Sequence, residues 1–301
     1  MKLLVIGATG QVGRELVETT HSLGSRVATT RSGMIDSDVE CVSLDVRQLD
    51  EVRRVVRSVA PDVVINAAAY TAVDHAESNR DTAFHVNAEA VAAMADACRD
   101  IGARFAHYST DYVFDGSSRV PYTETSPTCP LGVYGASKRA GEEAILASGV
   151  DHLILRTAWV YASHGSNFLR TMLRLGSERD ELRVVADQIG SPTPARWIAE
   201  ATVALLARPV VPSGIVNVVA AGETSWHGFA TAIFEEASRL GVLQRTPRVI
   251  PIPSSDYPTP ARRPVYSVLD TSRLRVLGIE PPPWREGLVR ELSRLAAAAA
   301  G

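Results

Sequence analysis

Cysteine is scarce in this chain: Cys41, Cys98 and Cys129 are the only three in 301 residues, widely spaced and in no C-x-x-C pattern. An odd, scattered set supports neither a disulfide framework nor a zinc site, and it fits a reducing, cytoplasmic setting. A basic excess is lacking too. Lys and Arg number 31 against 34 Asp and Glu, the formal net charge is −3, and no Lys/Arg cluster interleaves with aromatics. Nucleic-acid binding is therefore disfavoured. No long hydrophobic run opens the chain: the stretch Leu3 to Ile6 meets Gly7 far too soon for a signal-peptide core or a membrane span, so it reads as a buried strand. What is present is 46% hydrophobic and 22% charged residues, enough for one large α/β domain, or a domain and a smaller lobe.

Short aliphatic runs alternate with helical patterns through the first half, the signature of a parallel sheet wrapped by helices. Strands are expected at Leu3–Ile6, Val27–Thr29, Cys41–Leu44, Val63–Asn66, Arg104–Tyr108 and Leu153–Leu155. Helices are expected at Gln11–Leu23, Leu49–Val59, Asp81–Ile101 and Ser137–Ala147. Asn87 to Ala95 is apolar nearly all round and reads as a helix buried on the sheet or in a subunit interface. After about residue 160, prolines and turns loosen the pattern, with helices left at Asn167–Leu175, Ala195–Leu206 and Ser225–Leu240, the last capped by Thr224 or Ser225. The proline-rich segment Tyr257 to Pro264 also carries Tyr and Arg, which suits a loop-built substrate lobe better than a linker. The alanines before Gly301 read as a fraying helix tail without function. The expected architecture is a Rossmann-type doubly wound parallel sheet over 1–160, joined by elements from about 190–220, with a smaller, loop-rich C-terminal substrate lobe over 161–301.

Gly7-Ala8-Thr9-Gly10-Gln11-Val12-Gly13 lies where the first strand ends and the first helix begins. Glycines there allow a tight turn and close approach of a pyrophosphate, and the helix N-terminus offers N–H donors, so Gly7, Gly10, Gln11, Val12 and Gly13 are candidate dinucleotide contacts. The second strand ends Thr29-Thr30-Arg31-Ser32 without the carboxylate that would hold an NAD ribose, and Arg31 with Ser32 suits a 2′-phosphate. NADPH is favoured, with NADH as the alternative. Asp45, followed by Val46, is placed to meet the adenine amine or to cap the next helix. Small residues in Asn66-Ala67-Ala68-Ala69-Tyr70-Thr71 let a cofactor lie against the backbone. The fifth strand ends in Tyr108-Ser109-Thr110-Asp111, presenting hydroxyls at the carboxyl edge of the sheet, where α/β proteins place ligands. Tyr134 and Lys138 stand at i and i+4, so a phenol and an ammonium share one helix face. A nearby fixed cation is expected to lower the phenol towards neutrality and fit it for acid–base work beside a carbonyl.

These residues, with Arg156 to Tyr161, Asp187 to Thr193 and Thr259 to Pro264, resemble the extended short-chain dehydrogenase/reductases and, among them, the dTDP-4-dehydrorhamnose reductase family. The resemblance covers nearly the whole chain. It implies reduction of a sugar-nucleotide ketone, the last step in making an activated deoxysugar, with Tyr134 as proton donor, Lys138 holding the nicotinamide ribose and Thr110 on the carbonyl. It further implies that Tyr108 and the Ala69-Tyr70-Thr71 turn line the cofactor, while Thr110, Asp111 and Trp159 meet the sugar nucleotide. Arg262 or Arg263 would offset the diphosphate charge or form a structural salt bridge. Some members carry an acidic residue where this chain has Thr30. Some also hold a divalent cation such as Mg at a dimer interface through glutamates; Glu15 lies near the corresponding place, but a lone helix glutamate reads as a solvated charge, and no metal is assigned. A homodimer stays open. The rivals are an NAD-retaining epimerase or dehydratase using the same Tyr/Lys pair, and a non-catalytic dinucleotide-binding subunit resembling the partner of methionine adenosyltransferase. The missing acid on the second strand argues against the former, and the intact Thr110, Tyr134 and Lys138 against the latter.

Overall fold

A computed structural model describes residues 1–300 of the chain. Strands β1 (Lys2–Ile6), β2 (Ser25–Thr30), β3 (Glu40–Ser43), β4 (Val63–Asn66), β5 (Arg104–Thr110), β6 (His152–Thr157) and β11 (Gly214–Asn217) form one seven-stranded sheet. Their order is β11-β6-β5-β4-β1-β2-β3, and every pairing is parallel. The strands are apolar on both sides because both faces are covered. Leu3 and Val5 of β1 point to one face, Leu4 and Ile6 to the other. The first face packs on α1 (Gln11–Thr19) and α8 (Ala195–Leu206) through Leu16, Ile198 and Leu205. The second packs on α2 (Leu49–Val59), α5 (Ala90–Ile101) and α6 (Val133–Ser148) through Val52, Val56, Met94 and Ile145. Chain order reverses between β1 and β4, so a crevice opens at the carboxyl edge there, the usual ligand position of such sheets.

Helices α3 (Val73–Ser78) and α4 (Arg80–Phe84) follow β4. The remaining chain builds a second core from α7 (Phe168–Glu178), α9 (Trp226–Arg239) and α11 (Trp284–Ala300), in which Leu169, Leu173, Phe229, Ile233, Leu288 and Leu292 are buried together. Three short pairings frame it: β7 (Val160–Tyr161) with β10 (Thr193–Pro194), β8 (Glu181–Val185) with β13 (Arg248–Ile252), and β9 (Ile189–Gly190) with β12 (Thr224–Ser225), the last antiparallel. Helix α10 (Ser272–Val276) packs against β11. Ser225 is the N-cap of α9, its hydroxyl accepting from Gly228 N–H at 3.0 Å. The alanine tail continues α11 to Ala300; Gly301 lies outside the described residues.

Two helices depart from expectation. Asp81 to Ile101 is not one regular helix: α4 and α5 are separated by a π-helical turn at His85–Glu89. That wide turn carries Asn87, whose buried amide accepts from Tyr70 N–H at 2.8 Å and donates to Tyr70 C=O and the Ser137 hydroxyl, both at 3.0 Å. Helix α6 begins at Val133, not Ser137, because the Glu77 carboxylate accepts from Val133 N–H at 2.8 Å and caps it across 56 residues of sequence.

Candidate active site

The turn after β1 is as tight as its glycines allow. Gly7 has φ +84°, and a Cβ there would lie 2.7 Å from Ala68 N, while one on Gly13 would lie 2.1 Å from Gly7 O. Gly10 N–H bonds back to Gly7 O at 3.0 Å, and α1 starts on Gly10 without a side-chain cap, so the N–H groups of Gln11, Val12 and Gly13 face the crevice end without side-chain competition. The Gln11 Oε1 is buried with no hydrogen-bond partner. This cradle fits a dinucleotide pyrophosphate. Asn87 clamps the Ala69-Tyr70-Thr71 turn opposite. At the edge of β2, Arg31 is exposed and its charge, with that of Arg47, lowers the pKa of Asp45. Asp45 is not the cap of the next helix, whose N-cap is Gln48; Arg47 grips its carboxylate through Nε at 3.0 Å and Nη2 at 2.6 Å, which holds the pKa down. Val46 is half-buried against the sheet core.

The reactive edge lies where β5 ends beside the first turns of α6. Thr110 is buried; its hydroxyl donates to Asp111 Oδ1 at 3.0 Å and accepts from Tyr112 N–H at 3.2 Å. Tyr134 stands in the first turn of α6 with its ring edge-on to Tyr112, centroids 5.7 Å apart. Burial pushes its phenol up to about 12; the Thr110 hydroxyl opposes this, and the Asp111 charge adds to it. The expected lowering by Lys138 is absent because that ammonium is turned elsewhere. Lys138 Nζ donates to the Tyr108 carbonyl at 2.6 Å and lies 3.1 Å from His107 Nε2. Burial brings Lys138 down to about 8, against the pull of Glu142 one turn on. Tyr108 offers the cleft only that carbonyl. Its side chain points into the core, where the hydroxyl meets Thr202 of α8 at 2.7 Å and burial raises the phenol's pKa, so it does not line the cofactor cleft as expected.

Asp111 is buried, its Oδ2 lacks a hydrogen-bond partner, and burial raises the carboxyl to about 6 despite the Ser267 and Thr110 hydroxyls. A carboxyl raised above its unfolded value stabilises the fold fully below about pH 4 and loses that contribution as pH rises through about 6. Asp111→Asn is therefore expected to stabilise the protein at pH 8 by on the order of 2 kcal/mol and to change little at pH 4. Chemical denaturation at the two pH values checks the sign.

The family model described as the RmlD substrate binding domain matches residues 1–297. The chain belongs to this family. A dTDP-4-dehydrorhamnose reductase of Burkholderia thailandensis is 49% identical over 297 residues, covering 95% of this chain and 96% of that protein. A second protein of that name, from Escherichia coli K12, is 43% identical over 300 residues, covering 98% of each. Among solved structures, a dTDP-4-dehydrorhamnose reductase of Bacillus anthracis in complex with NADP superposes with a TM-score of 0.89 at 34% identity, covering 97% of this chain and 99% of that one.

In this RmlD-family chain the second core supplies the far wall of the site. Trp159 follows β6 with φ +47°, a left-handed conformation rarely taken by a bulky residue, and stacks on Trp226 at 3.5 Å and 4°. Gly190 makes room for it, since a Cβ there would lie 2.4 Å from Trp159 Cε2. Trp226 borders a cavity of about 700 Å³ that also takes in Phe168, Arg183, Tyr257 and Arg263. Arg263 is the bridging residue of the arginine pair: it donates to Asp74 Oδ2 at 2.7 Å and also interacts with Tyr112, the neighbour of Tyr134. Arg262 is exposed.

Glu15 is not the solvated charge expected. It is fully buried, with His164 Nε2 and Arg294 Nη1 both 2.9 Å from Oε1 and Arg196 Nη1 3.3 Å from Oε2. Burial alone would raise its carboxyl, but His164, Arg294 and Arg196 outweigh it and hold the group at about 2. Both oxygens already face cations, so the arrangement does not fit a divalent ion. No group of three or more His, Cys, Asp or Glu able to hold a metal occurs among the described residues. Nor is any helix among them long and apolar enough to cross a membrane. The residues that sequence reasoning missed are those acting through others: Asn87, Glu77, Arg47 and His107. Only Arg47 left a local signal, its spacing of two from Asp45.

Proposed function

We propose that the chain reduces the 4-keto group of dTDP-4-dehydro-L-rhamnose to give dTDP-L-rhamnose, using NADPH. The observation that carries this is the meeting of Thr110 and Tyr134 at the carboxyl edge of a dinucleotide-type sheet, in a chain that matches reductases of this name over nearly its whole length. When bound, NADPH supplies the hydride that adds to the ketone carbon. Tyr134 is the proton donor to the forming alkoxide, and a phenol held at about 12 is fully protonated at neutral pH, which is the form a reduction consumes. Thr110 turns its hydroxyl from Asp111 to the carbonyl oxygen and stabilises the developing charge. Asp111 takes a sugar hydroxyl on its unpartnered Oδ2. The Gly7–Gly13 turn, Ala69 to Thr71 and Lys138 hold the cofactor, and Arg31 its 2′-phosphate. We divide the labour as 1–160 with about 190–220 for the dinucleotide and the rest for the sugar nucleotide, because the 700 Å³ cavity beside Trp226 lies in the second core. Free thiols and the absence of a basic excess suit a cytoplasmic enzyme without a nucleic-acid partner.

The test is purified protein with dTDP-4-dehydrorhamnose generated in situ, product being followed by chromatography. NADPH should be oxidised in step with product. Arg31→Glu is expected to raise the KM for NADPH about tenfold while leaving that for NADH near its starting value. Absence of product with either cofactor would favour the non-catalytic subunit.

A further inference from the structure

His107 lies on β5 opposite Asn66 of β4, fully buried, and it has no place in the reaction as described so far. Each ring nitrogen faces a nitrogen: Asn66 Nδ2 is 3.0 Å from Nδ1, and Lys138 Nζ is 3.1 Å from Nε2. The Asn66 amide cannot be turned without loss, because its Oδ1 accepts from Ala68 N–H at 3.0 Å. Asn66 therefore donates to Nδ1. A neutral imidazole has one proton and one lone pair, so with Nδ1 accepting, the proton sits on Nε2 and points at Lys138. The ring is neutral: burial and the Lys138 charge both hold its pKa well below the usual histidine value. An ammonium has three donors and no acceptor, so facing an N–H it makes no bond, whereas the amine form takes that N–H on its lone pair while still donating to the Tyr108 carbonyl.

We propose that His107 is a positioning residue for Lys138, its Nε2–H fixed by Asn66 and held ready for the lysine lone pair, so that Lys138 can give up and regain a proton without leaving its place. The inference rests on the reading of Tyr134 and Lys138 as the proton-handling pair. After Tyr134 has protonated the alkoxide, a proton of the Lys138 ammonium is relayed through water to the phenolate, since Nζ itself is turned to the Tyr108 carbonyl. The N–H bond electrons stay on Nζ as a lone pair, His107 bonds to it, and a solvent proton restores the ammonium. No oxidant or reductant is involved. The charged and titratable groups that face Lys138 are few: Glu142 on α6, itself gripped by Arg156 of β6, and the His107 ring on β5. None of these duplicates a neutral donor at 3.1 Å.

The experiment compares His107→Leu and His107→Gln with the parent, using NADPH and the ketosugar across pH 6 to 10. The leucine variant removes the donor, so the amine form loses its bond. The high-pH limb of kcat is expected to move upward and kcat at neutral pH to fall about tenfold, with KM changed by less than about threefold. Glutamine can place an amide N–H where Nε2–H stood and should restore most of both. A leucine variant with an unmoved limb, or a glutamine variant as impaired as leucine, overturns the proposal. Should leucine fail to fold, ¹⁵N spectra of histidine-labelled parent, assigned by difference from the glutamine variant, decide it without turnover. The Nε2–H tautomer without titration between pH 5 and 8 is expected; an Nδ1–H tautomer or an imidazolium is the contrary result. If the parent shows no reductase activity, the functional reading fails while the spectra still judge His107.

Discussion

Tyr134→Phe is expected to cut kcat by about 10²- to 10⁴-fold, the usual contribution of a positioned general acid, while NADPH affinity stays within about twofold of the parent. The ring keeps its volume and its edge-on contact with Tyr112, so the loss is confined to one hydroxyl. Steady-state kinetics and equilibrium titration of NADPH fluorescence separate the two effects. Turnover close to that of the parent would remove Tyr134 from the reaction. The phenol's proton is held so firmly that Tyr134 should not shape the pH profile below about 10. Asp111 near 6 and Lys138 near 8 are the groups that can bend it in the neutral range.

Glu142→Gln is expected to destabilise the protein by about 3 kcal/mol, because it leaves the Arg156 guanidinium buried against a neutral partner. The pair is bidentate, with Arg156 Nε 2.9 Å from Oε1 and Nη2 2.7 Å from Oε2, and the side chains are only 3% and 4% exposed. A cation–π contact of Arg156 with Phe114 at 5.1 Å and a bond to the Glu124 carbonyl remain, which is why the cost stays below that of a bare buried charge. The same change removes the anion that raises Lys138, so the lysine should lose its proton at a lower pH than about 8. Denaturant titration reads the first effect and the high-pH limb of kcat the second. A loss under about 1 kcal/mol, with an unmoved limb, would show that water repairs the pair.

How legible the molecule was in its sequence depended on range. The seven-residue glycine turn, the helix over Leu49–Val59 and the apolar strands announce themselves through local spacing, because adjacent residues supply both the conformation and its cause. The pairing of Tyr134 with Lys138 was visible for the same reason, whereas the role of Thr110 came from the family resemblance. What stayed hidden was set by contacts between distant positions. Glu77 starts α6 early, Asn87 widens a turn to reach Tyr70 and Ser137, and Glu15 is buried because His164, Arg196 and Arg294 converge on it from three other segments. The pKa of Tyr134 was misjudged in direction because i, i+4 spacing brings Lys138 onto the same face without dictating where its ammonium points.

The edge strand β11 enters the sheet from residue 214, after α7, β8 and α8 have been made. During synthesis the first six strands leave the ribosome with the outer side of β6 unpaired and the face later covered by α8 bare. For some fifty residues of translation that nascent sheet presents an apolar, hydrogen-bond-hungry border, the kind of surface that recruits a neighbouring chain or a chaperone. Closure of the seven-stranded sheet thus waits on α8 and β11, which are made only after α7 and β8 of the second core.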